Sequence, residues 1–280
     1  MATILGGITT SHIPAIGNAI QRGRENDPYW KPFFDGYIPV RAWLDHVKPD
    51  LAVVVYNDHG LNFFLDQIPT FAMGAAKEYP NCDSGWGLEE GPAALGNPEF
   101  SWHLIESLVR DEFDLTTCQE MKVDHGFMVP MSVLWPHAME WPLQVVPLAV
   151  NTVQHPLPSP ARCFKLGKAL GKAIASYPED LKVVVIGTGG MSHQLQGERA
   201  GLINKPFDLM FLETIVTDPD ALARLSVRDL VESAGSEGVE LIMWLVMRGA
   251  LGDRVSLIHR HYHVPVSSTA AGVLVLENAA

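Results

Sequence analysis

Cysteine is scarce in this sequence, and the three that occur, Cys82, Cys118 and Cys163, are far apart and form no Cys-x-x-Cys pair. This usage argues against a disulfide framework and a thiolate zinc site, and it is typical of proteins of the reducing cytoplasm. The first residues also lack a basic start followed by a long apolar run, so the sequence predicts no signal peptide. We therefore expect a cytoplasmic protein.

Positive charge is scarce as well, because 20 Lys and Arg stand against 32 Asp and Glu and leave a net charge of −12. Phosphate binding needs clustered cations, so nucleic acids and anionic membranes are poor candidates for partners. The apolar runs, such as residues 51–56 and 183–186, are too short to span a bilayer. A small anionic substrate remains compatible with this composition, because a pocket can be locally positive inside an acidic protein.

Hydrophobic residues are abundant by contrast, at 47% of 280 residues, and this is enough for a substantial core. Short β-branched runs predict buried strands at residues 3–8, 51–56, 144–150, 182–187 and 272–276. Helical patterns lie between them at residues 39–46, 98–111, 161–176, 206–216, 221–224 and 238–248. Apolar strands that alternate with helices predict an α/β fold with a central mixed, mostly parallel sheet covered by helices on both faces. No linker rich in Pro, Gly and Ser divides the chain, so residues 1–280 are predicted to form a single domain.

Residues 60–97 differ from the rest of the chain. They are rich in Gly, Pro and aromatic residues and show no clear period. We predict a long irregular excursion over the surface, and loops of that length are often functional or covered by a partner.

Three of the predicted strands run directly into polar turns that carry a histidine. The first strand leads to Ser11 and His12, the second to Asp58 and His59, and the fourth to His193. Ligand sites of open α/β sheets lie outside the carboxyl ends of the strands, so we expect the three imidazoles to converge. One such histidine alone is more often a loop or capping residue, but the joint occurrence favours a site. Ser11 and Asp58 are expected to fix the tautomers of the imidazoles beside them.

A carboxylate that would complete a metal site lies in residues 235–250, which indicate a helix beginning near Glu237. Glu237 belongs to the first turn, where the helix dipole favours an acid and explains its presence. Glu240 shares an apolar face with Trp244 and Met247. A carboxylate on such a face is costly to bury unless it is paired or binds a metal. The residues alone leave both a metal ligand and a buried salt bridge to an arginine open for Glu240.

Together, His12, His59 and Glu240 would form a triad of two histidines and one carboxylate, which suits Fe(II). The triad leaves coordination positions for the two vicinal oxygens of a catechol and for O2. The same ligands also suit zinc, so a zinc-dependent hydrolase is an alternative. His193 and His125 are the remaining candidate imidazoles that can exchange protons with a substrate, because histidine titrates near neutrality.

Two further patterns carry weaker signals. The glycine-rich turn at residues 187–190 lacks both G-x-G-x-x-G and the P-loop pattern, and we interpret it as a tight turn that lets backbone approach the site. His259, His261 and His263 alternate as on a strand with no carboxylate nearby, and we interpret them as surface or packing residues.

Six segments resemble the catalytic β subunits of LigB-type class III extradiol dioxygenases, the family that includes the protocatechuate 4,5-dioxygenases. They are ITTSHIP (8–14), VYNDH (55–59), VDHG (123–126), GTGGMSHQLQG (187–197), GLINKPFD (201–208) and GSEGVELIMW (235–244). The similarity covers nearly the whole chain, and the set is highly specific although each segment alone is weak.

The resemblance implies roles for the residues of these segments. It implies that His12, His59 and Glu240 hold Fe(II), and that His193 is the acid/base residue beside substrate and O2. It also implies that His125 hydrogen-bonds a substrate hydroxyl.

Substrate contacts are implied for Asn57, Ser267 and Thr269, with Ser267 the best candidate for holding a ring carboxylate. The implied reaction is extradiol cleavage of protocatechuate by O2, giving 4-carboxy-2-hydroxymuconate semialdehyde in the catabolism of lignin-derived aromatic compounds. Gallate is the nearest alternative substrate. A non-enzymatic interaction protein of the same fold is a further alternative, against which the complete triad and the two additional histidines argue.

A partner is implied as well. The resemblance implies a small helical α subunit that caps the active site in an α2β2 assembly. We expect it to dock on the apolar side chains around Phe63, Phe64 and Phe71.

Overall fold

The structure, a computed structural model, describes residues 1–82, 88–89, 91–266 and 268–279. Its strands are β1 (Thr3–Thr10), β2 (Leu51–Tyr56), β3 (Phe71–Gly74), β4 (Glu78–Tyr79), β5 (Ala94–Leu95), β6 (Thr116–Cys118), β7 (Gln144–Val150), β8 (Lys182–Thr188), β9 (Val255–Val266) and β10 (Thr269–Asn278). Its helices are α1 (Pro14–Gln21), α2 (Lys31–Asp35), α3 (Ile38–Val47), α4 (Pro98–Arg110), α5 (His125–Leu134), α6 (Pro160–Ala175), α7 (Lys205–Thr217), α8 (Pro219–Ala223), α9 (Val227–Ala234) and α10 (Leu241–Ala250). Within these described ranges, no helix has the length and apolar character needed to cross a membrane.

One eight-stranded sheet organises the chain, in the order β6-β3-β7-β2-β8-β1-β10-β9, and β4 pairs separately with β5. Strands β7, β2, β8 and β1 are parallel neighbours, and β3 is parallel to β6. Strands β10 and β9, together with the β3–β7 pair, add antiparallel pairings. The predicted mixed, mostly parallel sheet is confirmed. Because the four central strands run the same way, their carboxyl ends lie at one edge of the sheet.

The central strands are apolar along their whole length because both faces of the sheet are covered. In β2, Val53 and Val55 belong to one hydrophobic core, whereas Val54 and Tyr56 belong to the other. Successive side chains of a strand point to opposite faces, so every position must be apolar. Helices α4, α6, α7 and α10 pack on the first face and α1, α2, α3 and α5 on the second. The predicted helices on both faces are therefore confirmed.

Helix α10 is buried along its entire length and carries Glu240 at its N-cap position. It packs tightly against α6 because glycines face each other across the contact. A Cβ added to Gly167 of α6 or to Gly249 of α10 would collide with the backbone of the other helix. This contact holds the last turn of α10 against α6. Nearer Glu240, a Cβ added to Gly187 of β8 would lie 3.0 Å from the Met243 carbonyl oxygen, so the first turns of α10 pack closely against that strand.

The prediction for residues 60–97 is wrong in part. Phe71–Gly74 forms the buried strand β3 of the main sheet, between β7 and β6. Its Phe71 is 1% exposed and is therefore not available to a partner. A four-residue strand has no measurable period, and its pairing with β7 joins segments distant in the chain, so sequence patterns gave no signal for it.

Helices α1, α2, α5 and α9 were not expected from the sequence, and α2 has only five residues. Helix α5 is buried on nearly all sides and contains Pro130, so it shows neither an amphipathic period nor an uninterrupted pattern. Helices α1 and α9 have only eight residues each. The first turn of α5 is stabilised by Asp124, whose side chain accepts a hydrogen bond from the Gly126 amide.

Candidate metal centre and active site

The three histidine-bearing turns meet at the carboxyl edge of the sheet, as predicted. Strand β8 lies between β2 and β1, so the turns that follow these strands are neighbours. They surround a cavity of about 470 Å³ whose lining includes His12, His59, His125, His193 and Glu240.

The candidate metal ligands His12, His59 and Glu240 lie close together. One potential ligand atom from each falls within 4.8 Å of the other two. The His12 Nε2 atom is 3.2 Å from Glu240 Oε2. The side chains of His12 and Glu240 are 5% and 8% exposed, whereas that of His59 is 28% exposed toward the cavity mouth.

A hydrogen bond to Nδ1 orients the imidazole rings of both His12 and His59. His12 Nδ1 lies 3.1 Å from the hydroxyl of Thr188, the last residue of β8. His59 Nδ1 lies 3.0 Å from Asp124 Oδ2, and the same oxygen accepts the His59 backbone N–H at 2.7 Å. A carboxylate only accepts, so Nδ1 of His59 carries a proton and Nε2 is the nitrogen left for a metal. Such bonds are typical of metal-binding histidines.

The expectation that Ser11 and Asp58 fix the two tautomers is wrong. Asp58 accepts the backbone N–H groups of Gly60 and Leu61 and so closes the loop after His59. The Ser11 hydroxyl has no hydrogen-bond partner within the described part of the chain. Consecutive side chains at a strand end point in opposite directions, so a sequence neighbour is badly placed to reach the imidazole.

The glycine-rich turn that follows β8 contacts Glu240. The Gly190 amide donates to Glu240 Oε2 at 2.7 Å. Gly189 has φ +127°, and a Cβ there would lie 2.8 Å from the Cβ of Glu240. The interpretation of this turn as a close backbone approach to the site is confirmed.

No arginine pairs with Glu240 among the described residues. Arg248, the arginine of the same helix, instead donates to the backbone carbonyls of Ile215, Gly252 and Asp253. The alternative of a buried Arg–Glu salt bridge is therefore wrong, and the histidines are the groups that face the carboxylate.

The electrostatics of the site match a cation-binding cluster. Burial acts to raise the pKa of Glu240, but the charges and hydrogen bond of the surrounding histidines outweigh it and lower that pKa, so the carboxylate is ionised. Burial lowers the pKa of His12, although the charge and hydrogen bond of Glu240 act to raise it. Burial would also lower the pKa of His59, but the bond and charge of Asp124 outweigh it and raise that pKa. An ionised carboxylate and oriented imidazole nitrogens are the donor set of a non-haem divalent metal, so the residues present fit such an ion.

A second group, formed by His59, Asp124 and His125, is also compact. The rings of His59 and His125 are stacked, with centroids 4.0 Å apart and planes 27° from parallel. Lone pairs lie in the ring planes, so those of stacked rings run side by side and do not converge on one ion. Both Asp124 oxygens already accept N–H groups, from His59 and Gly126. Asp124 therefore orients His59, a role that the sequence interpretation missed although its Val-Asp-His-Gly segment was noted.

His193 is held with one nitrogen directed at the site. Its Nδ1 lies 2.8 Å from the Met191 carbonyl oxygen, which only accepts, so Nδ1 is protonated. Its Nε2 is 3.8 Å from Glu240 Oε2. His125 lines the same cavity. The structure thus brings both predicted catalytic histidines beside the triad, and their roles stay predictions.

The predicted substrate-binding residues have different positions. Thr269 is buried, lines the cavity and forms a β-bridge with His193. Asn57 is buried under His59, with its Nδ2 3.0 Å from His59 Nε2, so a cation at that nitrogen requires Asn57 to release this bond. Ser267 lies outside the described residues.

Strand β9 carries His259, His261 and His263, and their side chains pack against α2 and the residue that follows it. His259 Nε2 contacts the Gly36 carbonyl at 2.7 Å, and the His263 ring lies against Phe33. The three residues are packing residues, as expected.

Comparisons with known proteins agree with this geometry. The family described as the catalytic LigB subunit of aromatic ring-opening dioxygenase matches residues 6–274. A gallate dioxygenase from Pseudomonas putida is 44% identical over 196 residues, which cover 70% of this chain and 57% of that protein. A 2,3-dihydroxyphenylpropionate/2,3-dihydroxicinnamic acid 1,2-dioxygenase from Photorhabdus laumondii is 30% identical over 187 residues, which cover 66% of this chain and 55% of that protein. The chain thus spans little more than half the length of these two relatives.

A solved structure shares the fold. The crystal structure of an uncharacterized protein from Escherichia coli K12 superposes with a TM-score of 0.58 and covers 97% of this chain and 99% of its own. The sequences are 15% identical, so this likeness concerns the fold alone.

Proposed function

Because this chain belongs to the LigB family of catalytic subunits of aromatic ring-opening dioxygenases, we propose that it cleaves the ring of a carboxylated catechol outside its two hydroxyls. The observation that carries the proposal is the cluster of His12, His59 and Glu240, whose ligand atoms lie within 4.8 Å of one another beside His193. The cavity of about 470 Å³ is of the size that small-molecule sites have.

We propose Fe(II) as the metal, held by His12 Nε2, His59 Nε2 and one oxygen of Glu240. When bound there, Fe(II) would supply positive charge for the catechol oxygens and an electron path between the ring and O2. Of the described residues that line the cavity, none is a Lys or Arg.

The proton transfers belong to His193. Because Nδ1 donates to the Met191 carbonyl, the lone pair of Nε2 is available to accept the proton of a substrate hydroxyl. The same Nε2–H then returns the proton to a substrate oxygen as the ring opens. One imidazole nitrogen can thus accept a proton and later donate it, as general acid–base catalysis requires.

The remaining cavity residues orient the substrate and exclude water. His125 is fixed against His59 by stacking, and we propose that it hydrogen-bonds a ring hydroxyl. Ile13, Pro14 and Leu61 give the cavity an apolar wall that suits an aromatic ring. Thr269 lies on the same lining and, with Ser267, is the proposed contact of the ring carboxylate.

Protocatechuate is the proposed substrate, with cleavage between C4 and C5. Gallate is a second candidate, because the Pseudomonas putida relative that is 44% identical is a gallate dioxygenase. The two acids differ by one ring hydroxyl, so the same ligands and the same proton transfers serve both.

We also propose a separate small helical subunit that caps the cavity, in an α2β2 assembly. Large apolar side chains are exposed after His193, where Leu195 is 54% exposed, and in the loop that follows the cavity-lining Leu61, where Phe64 is 61% and Leu65 68% exposed. Leu195 itself lines the cavity. Phe71, which was expected to contribute to this surface, is buried in β3.

The test uses the chain purified in the absence of oxygen, with one sample loaded with Fe(II) and a second sample loaded with Zn(II). Oxygen uptake and a yellow ring-fission product are measured with protocatechuate and gallate at equal metal content. We expect turnover with Fe(II) only. Absence of oxygen uptake in the Fe(II) form with both acids would contradict the proposal and favour the zinc-dependent alternative. If the Fe(II) form is active, the ratio of kcat/KM for the two acids decides the substrate.

The subunit proposal has its own test. Exchanging Phe64 and Leu65 for Ser should abolish co-purification with the small subunit and leave the Fe(II) content of this chain unchanged. Retained co-purification would contradict the assignment of this surface.

A further inference from the structure

The segment GLINKPFD at residues 201–208 has no role in the chemistry described so far. It ends in the first turn of α7, where Asp208 is completely buried. Its carboxylate accepts hydrogen bonds from the backbone of Ser192 at 2.9 Å, from the Ser192 hydroxyl at 2.6 Å and from the Tyr262 hydroxyl at 2.8 Å. Ser192 is the residue that precedes His193.

Ser192 is fixed by groups from several elements. Besides its two bonds to Asp208, its hydroxyl oxygen accepts the backbone N–H of Asn204 at 2.8 Å. Its carbonyl accepts the backbone N–H of Ala270 in β10 at 3.1 Å. Asn204 is in turn the N-cap of α7. Every polar group of Ser192 is therefore engaged, and the Asp208 carboxylate lies at the centre of this network.

The position of His193 depends on these hydrogen bonds of Ser192. Its backbone N–H donates to the Ala234 carbonyl at 2.7 Å, and its Nδ1 bonds the Met191 carbonyl. These bonds act on His193 itself and on Met191, whose N–H also donates to the Ala270 carbonyl at 2.9 Å. The bonds to Ser192 hold the residue between Met191 and His193, so the backbone that enters His193 is fixed at two consecutive positions.

Stability alone is a poor explanation for a buried carboxylate here. Within the described ranges, no Lys or Arg forms an ion pair with Asp208, and burial raises its pKa against the opposing hydrogen bonds. An apolar side chain of similar size would avoid this cost of desolvation. What a carboxylate adds is the capacity to accept three donors at once, two of which belong to Ser192.

We infer that Asp208 is a positioning residue, which acts through Ser192 to hold the imidazole of His193 beside the metal ligands. The inference rests on the proposed function for its catalytic consequence, but its geometric content can be measured without turnover. An imidazole that transfers protons has to be held within about 0.5 Å of its working position, so a loosened turn lowers the rate without removing any reacting group.

The first experiment is spectroscopic. The Zn(II)-loaded chain is prepared with ¹⁵N-labelled histidine, and the side-chain signals of His193 are assigned by their absence from His193→Ala. We expect Asp208→Asn to shift or broaden the His193 ring signals, because the Asn amide offers fewer acceptors to the donors of Ser192 and Tyr262. The control is Asp218→Asn, since Asp218 is an aspartate at the start of another helix, α8, where it accepts the Ala221 N–H and does not contact the site. Unchanged His193 signals in Asp208→Asn would overturn the inference.

The second experiment is a double-mutant cycle on the Fe(II)-loaded chain. We expect Asp208→Asn to lower kcat roughly 10- to 100-fold with little change in KM or Fe(II) content. In a His193→Ala background the same substitution should have no further effect, because the residue through which it acts is gone. An equal loss in both backgrounds would show a general structural effect and overturn the inference.

A third variant covers the case in which Asp208→Asn does not fold. Tyr262→Phe removes one donor while keeping the ring, and the same shift of His193 signals is expected on a smaller scale.

If the wild-type chain shows no oxygen uptake with either acid, the proposed function fails, while the His193 spectrum still decides the positioning role.

Discussion

Asp124 holds the more exposed of the two candidate iron-binding histidines, so Asp124→Asn tests the site at its least rigid ligand. The carboxylate binds three N–H groups with two oxygens, at 2.7 Å and 3.0 Å to His59 and at 2.8 Å to Gly126. An asparagine offers a single acceptor oxygen and places an NH2 group where the other oxygen was. Either the two His59 donors or the Gly126 donor then face an NH2 group.

The size of the effect follows from these bonds. If the amide oxygen turns toward His59, the first turn of α5 loses its cap, at a cost of about 1 kcal/mol. The bonds to His59 become neutral, and charge-assisted bonds contribute about 1.5–3 kcal/mol each against about 1 kcal/mol for neutral ones. Substitution of residues that orient metal-binding histidines weakens metal binding roughly 10- to 100-fold. We therefore expect the Kd for Fe(II) to rise by that factor, which corresponds to about 1.4–2.7 kcal/mol.

The assay is an anaerobic titration of Fe(II) against a chromophoric chelator, with the thermal midpoint measured in parallel. The matched control is Asp58→Asn, because Asp58 neighbours His59 in sequence but accepts only backbone and amide N–H groups of its own loop. The control should lose stability and keep its Fe(II) affinity. A Kd within twofold of wild type for Asp124→Asn, or an equal loss in both variants, would refute the role of Asp124 in orienting the ligand.

Three further predictions concern single side chains. His193→Ala should keep one Fe(II) per chain and lose roughly 10²- to 10⁴-fold in kcat, and loss of the iron itself would place His193 among the ligands. Glu240→Gln should bind Fe(II) poorly while keeping the fold, because an amide replaces the charged ligand, and metal analysis showing full iron content would exclude that role. Burial and the neighbouring His263 and His259 lower the pKa of His261 from 6.5, so the stability linked to His261 is present above pH 6.5 and falls as the pH drops through the lowered value. His261→Phe should flatten the loss of unfolding free energy between pH 7 and pH 5, by up to about 1.4 kcal/mol per pH unit in urea titrations, and an unchanged slope would contradict this.

Much of the fold could be predicted from local patterns. The predicted strand at 51–56 coincides with β2, and that at 144–150 coincides with β7. These segments are buried on both faces and therefore carry an unbroken apolar signal. Strand β3 and helix α5 escaped prediction because one is too short to show a period and the other is apolar all round.

The candidate site was likewise predictable only in part. His12, His59 and His193 could be proposed because each follows a strand, and Glu240 because it interrupts an apolar helical face. Their spatial proximity is consistent with that reasoning. The partners that orient them could not be found this way.

What the sequence by itself determined is the α/β class, the strands β1, β2, β7, β8 and β10 of the sheet and the residues that approach its carboxyl edge, because each of these depends on neighbours within a few positions. Only the tertiary structure decided which groups hold those residues. Asp124 lies 65 positions from His59, and Thr188 lies 176 positions from His12. Hydrogen bonds act over about 3 Å regardless of separation along the chain, so these partners are set by how β8, α5 and α7 pack around the site.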